Sequence, residues 1–60
     1  MFKILVTNPV GKTRLLSTEY RYPDEACAQA ERLWLRCDGS TVACITVLEQ
    51  DGTVYADYEH

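Results

Sequence analysis

The sequence predicts an α+β fold, β-β-α-β-β, with one four-stranded mainly antiparallel sheet and a single helix packed on one face. Three observations point there. Apolar residues alternate with a period of two up to residue 22, recur at helical spacing from 23 to 38, and alternate again after 40. Pro23 and Asp51-Gly52 punctuate this pattern as helix-start and hairpin signals. Sixty residues leave room for one core only, because a chain of this length buries only about 60% of the surface it exposes when unfolded. The single domain 1–60 divides into hairpin 2–22, helix 23–38 and hairpin 40–59.

The first strand is Phe2 to Thr7, with Phe2, Ile4 and Val6 on one side and Lys3, Leu5 and Thr7 on the other. Asn8-Pro9-Val10-Gly11 supplies turn chemistry, since proline fixes φ and glycine tolerates a positive one. A loop of four to six residues then leads into a second strand that starts at Thr13 and ends at Tyr20 or Tyr22. Its alternation sets Leu16, Thr18, Tyr20 and Tyr22 against Leu15, Ser17, Glu19 and Arg21.

The helix opens at Pro23, where a missing N–H costs nothing, and Asp24 and Glu25 follow where the dipole favours anions. At 100° per residue Ala26, Cys27, Ala30, Leu33, Trp34 and Cys37 fall within an arc of about 120°, the stripe that meets the sheet. Leu35 points the opposite way. Gly39 is placed to end the helix as a left-handed cap residue.

Thr41 to Leu48 is the third strand. A two-residue Asp51-Gly52 loop would set Gln50 opposite Thr53, Val47 opposite Ala56 and Ile45 opposite Tyr58. That register collects Ala43, Ile45, Val47, Val54, Ala56 and Tyr58 on the helix side. With the apolar first strand central, the strand order is 2-1-3-4 and all neighbours are antiparallel. One helix covers one face. The other presents Leu5, Leu15, Val42, Cys44, Leu48 and Tyr55 among Lys3, Thr46 and Asp57, more apolar than a solvated sheet face usually is.

Composition narrows the function. Six basic and nine acidic residues give a net charge of −3, against the basic footprint that nucleic-acid modules use to neutralise phosphates. The distribution is uneven, with Lys3, Lys12, Arg14 and Arg21 against Glu19 alone in residues 1–21. These four cations on the first hairpin define the alternative reading, a nucleic-acid-binding module helped by stacking on Tyr20 and Tyr22. No apolar stretch approaches the ~20 residues needed to span a bilayer, and no signal-peptide pattern is visible. Cys27, Cys37 and Cys44 are an odd set without framework spacing, which points to a reducing, cytoplasmic setting.

Catalytic motifs fail one by one. Gly11-Lys12-Thr13 imitates the end of a phosphate-binding loop, but Val6 stands where the first glycine belongs and a strand follows instead of a helix. The cysteines and His60 lack the paired spacing of zinc modules, and Cys27 and Cys37 sit on the buried helix stripe. His60 ends the chain, where no rigid element would orient it as a base. Asp24-Glu25 is explained by the helix start, and Asp57 with Glu59 by a solvated strand face. The expectation is a protein-binding module without enzymatic activity or cofactor, homodimeric through the helix-free sheet face or by pairing of exposed strand edges, or bound to another protein, with Tyr55, Leu48 and Leu15 at the centre of the contact.

Overall fold

The computed structural model describes residues 1–38 and 40–59. The elements are β1 (Lys3–Thr7), β2 (Thr13–Leu15), α1 (Pro23–Arg36), β3 (Cys44–Leu48) and β4 (Val54–Glu59). They build one antiparallel sheet in the order β2-β1-β3-β4 with α1 across one face, as the sequence predicts. Gly39, expected to cap the helix, and His60 lie outside the described residues.

The helix follows its local chemistry. Pro23 occupies the first turn together with Asp24 and Glu25, and Arg36 stands in the last, so charges of both signs complement the dipole. Ala26 and Ala30 are fully buried, small enough to bring the helix close to the sheet. Cys27, Leu33, Trp34 and Cys37 pack around them at the margin. Ile4, Ile45 and Val47 are the large side chains completely removed from water, one from β1 and two from β3. The core is therefore a small cluster centred on the two inner strands.

Both hairpins close by the same device, which neither loop estimate anticipates. In the first, the Asn8 N–H donates to the Lys12 carbonyl and the Gly11 N–H to the Asn8 carbonyl. In the second, Glu49 bonds Thr53 and Gly52 bonds Glu49 in the same pattern. Each is a three-residue loop, Pro9–Gly11 or Gln50–Gly52, whose glycine takes φ +91°. The side chains of Asn8 and Asp51 reinforce them, accepting from the backbone of Lys12 and Thr53 at 2.9 Å each.

The extra loop residue shifts the second hairpin by one position near its turn. A bulge at Val47/Leu48 restores the register, so Val47–Ala56 and Ile45–Tyr58 pair as expected while Leu48 pairs with Val54. Val54 thus leaves the predicted core side and joins Leu48 on the helix-free face. β2 is also shorter than expected. The Leu16 N–H still donates to the Ile4 carbonyl at 2.9 Å, after which the chain leaves the ladder until an isolated Phe2–Tyr20 bridge, two residues out of the earlier register.

Candidate functional site: the helix-free sheet face

Strand register lays this face out in three rows. Lys3, Leu48 and Val54 form the first, Leu15, Leu5, Thr46 and Asp57 the second, and Thr13, Thr7, Cys44 and Glu59 the third. Leu15, Leu5, Leu48 and Val54 make an oblique apolar band across all four strands. Leu15 and Val54 at its ends are 50% and 58% exposed, and Leu5 and Leu48 are half-buried. At one corner a depression of about 420 Å³ is lined by Met1, Lys3, Leu15, Glu19, Leu48 and Gln50 among others. Lys3 meets Glu19 there at 3.3 Å.

The opposite corner is polar. Thr46, 8% exposed, donates its hydroxyl to Asp57 Oδ1 at 2.9 Å, and the Cys44 thiol donates to the same oxygen at 2.8 Å. Burial and the neighbouring carboxylates of Asp57 and Glu59 push the Cys44 thiol up from its ordinary pKa. That direction favours the thiol over the thiolate while no ion is bound. The donor atoms of Cys44, Asp57 and Glu59 lie within 4.8 Å of one another, the one set among the described residues with the spacing to hold a metal ion.

Two of the six residues expected on this face are placed elsewhere. Val42 is 9% exposed and belongs to the core cluster. It precedes β3 in a turn where its N–H donates to the Asp38 carbonyl at 3.0 Å, so strand alternation does not apply to it. Tyr55 rests edge-on against Phe2, ring centroids 5.3 Å apart, and Phe2 packs against the core. The bulge exchanges Tyr55 for Val54 in the apolar band. Leu5, Leu15, Cys44 and Leu48 stand where the sequence puts them. Thr46, Asp57 and Glu59 form a cluster with Cys44 that the sequence reading leaves unassembled, although the predicted register already set Thr46 opposite Asp57 and Cys44 opposite Glu59.

The four basic residues of the alternative reading do not converge. Lys3 faces the open side and is paired with Glu19, whereas Arg14 pairs with Val6, a residue that packs on the helix side. Lys12 closes the first hairpin. Arg21 follows Tyr20 at the other end of β1, roughly 17 Å of strand away.

Fold and site together define a small α+β sandwich of one helix and one sheet, with an apolar band left open on the second face. No family model matches the chain, and neither a curated protein nor a solved structure matches it. No helix among the described residues is long and apolar enough to cross a membrane.

Proposed function

We propose that the chain is a small, non-catalytic protein-binding module that self-associates through its helix-free sheet face. The observation that carries this reading is the band Leu15, Leu5, Leu48 and Val54, apolar across the whole width of a sheet with no helix on that side. Contiguous apolar patches of this kind mark interaction sites. A second copy is the favoured occupant because the band spans the face from edge strand to edge strand. A two-fold axis along it lays leucine against leucine, as an isologous interface requires. A stable interface buries about 800 Å² per partner, roughly a fifth of the 4138 Å² this chain exposes, which one sheet face can supply. So small a core gains from such a supplement. The free thiols Cys27, Cys37 and Cys44 support a reducing, cytoplasmic setting.

Sedimentation equilibrium tests it. The wild-type chain is expected to dimerise in the micromolar range, and Leu15→Asp or Val54→Asp to return it to a folded monomer. A wild-type chain that sediments as a monomer at every concentration overturns the proposal.

A further inference from the structure

We propose that Cys44, Asp57 and Glu59 form a binding site for a divalent transition-metal ion of the zinc class, at the polar corner of the helix-free face. The three residues differ in chemistry and come from two adjacent strands. Cys44 lies directly across from Glu59, and Asp57 is two residues before Glu59 on the same face. A thiolate sulfur with two carboxylate oxygens is a donor set that zinc accepts, at about 2.3 Å for sulfur and 2.0–2.2 Å for oxygen. Tetrahedral bonds of those lengths hold donors roughly 3.3–3.8 Å apart. The donor atoms here already stand within 4.8 Å of one another, with Cys44 Sγ and Asp57 Oδ1 at 2.8 Å.

The scaffold beneath the three residues is fixed. Ile45, between Cys44 and Thr46 on β3, is fully buried in the core. Thr46 is itself nearly buried, and its hydroxyl holds the Asp57 carboxylate at 2.9 Å, the outer-shell orientation that metal-binding carboxylates typically have. At the end of β4 the Trp34 indole N–H donates to the Glu59 carbonyl at 3.1 Å, tying that ligand's backbone to the helix. Among the described residues neither carboxylate has an ion-pair partner within 4.0 Å, so two acidic side chains and a thiol share one corner. A divalent ion offsets that charge. On binding, the thiol proton passes to solvent and an S–metal bond replaces the S–H bond, with no change of oxidation state. Three protein ligands leave a fourth position for water.

The corner adjoins the apolar band on the same face, so the site is tested with the full chain under reducing conditions, below the concentration at which the chain associates. Zinc is titrated against a competing chromophoric chelator. Cobalt is titrated in parallel, with thiolate-to-metal charge-transfer absorption as the readout. One ion per chain is expected, with release of a proton and a charge-transfer band. Cys44→Ser is expected to abolish the band and Glu59→Gln to weaken zinc binding, while the double variant Cys27→Ser, Cys37→Ser retains both. Thr46→Val, close in shape, is expected to raise the dissociation constant about 10-fold or more through loss of carboxylate orientation. No zinc binding by a folded wild-type chain overturns the proposal, and so does binding that survives Cys44→Ser or is lost in the Cys27, Cys37 variant.

Discussion

The two faces of the sheet use the same strands for opposite purposes. On the helix side Ile4, Ile45 and Val47 are wholly buried, and Ala26 and Ala30 bring the helix down onto them. On the other side the residues one step along the same strands, Leu5, Thr46 and Leu48, meet solvent or a polar corner. Since side chains alternate strictly along a strand, stability and recognition are separated residue by residue. The apolar content of the core side is accounted for by folding. That of the open side is not, because folding leaves Leu15 and Val54 at least half exposed.

The largest expected effect breaks the helix-covered face. Ile45→Ala removes a fully buried side chain from the centre of the core and is expected to cost about 2–5 kcal/mol, most of the stability a domain of this size possesses. Leu15→Thr on the open face is expected to change the stability of the monomer by about 0.5 kcal/mol or less. Urea unfolding of both variants, below the concentration at which the chain associates, checks the contrast. Equal losses would show that the two faces are not functionally distinct.

A smaller effect sharpens the comparison at the turns that fix which residues reach each face. Gly11 and Gly52 both hold φ +91° with open space where a Cβ would stand, so alanine there meets backbone strain and no clash. Each Gly→Ala change is expected to cost about 1 kcal/mol. Gly52→Ala carries a second consequence, because its loop sets the bulge that places Val54 beside Leu48. If the band is the interface, Gly52→Ala weakens dimerisation more than Gly11→Ala does at matched stability, measurable by sedimentation.

That dependence on turn type explains what was legible in the sequence. The strand order and the helix stripe followed from the apolar patterning. The core pairs Val47–Ala56 and Ile45–Tyr58 were read from a two-residue loop, and they hold because the bulge offsets the third loop residue and so keeps one face dry. Asp51-Gly52 was legible as a turn but not as its type, because Asp-Gly favours a two-residue loop while its glycine also suits the left-handed position of a three-residue loop with a bulge. The one-residue difference stayed local to Val54 and Tyr55, and these are the residues that moved between the predicted faces. Val42 was misplaced for a related reason, because Thr41 and Ala43 continue its alternation although Asp38 has already drawn the backbone into a turn. The corner of Cys44, Thr46 and Asp57 was within reach of the predicted register. It is hidden along the chain because Cys44 and the acids Asp57 and Glu59 are more than ten residues apart and meet only across β3 and β4, whereas metal motifs show in a sequence through short spacings.

The smallest effect concerns the turn that carries Val42 into the core. Asp38 accepts from the Ser40 N–H at 3.0 Å, from the Ser40 hydroxyl and from Thr41, and these bonds hold its carboxyl below the ordinary 3.8. A depressed folded pKa means that the ionised form favours the fold. The contribution is complete above the unfolded value and is lost as pH falls through the folded one. Asp38→Asn keeps a side-chain oxygen as acceptor and removes the charge, so its deficit against wild type is expected near neutrality and is expected to vanish in acid. The side chain is fully exposed, which limits the effect to a small displacement of the acid-unfolding midpoint. Asp51→Asn provides the parallel case, since Thr53 holds that carboxyl down in the same way on the hairpin that sets the open face. If the two variants show pH-independent deficits, the turns act through loop shape alone. Deficits that close together in acid show that charge-assisted bonds at both turns hold Val42 in the core and Val54 outside it.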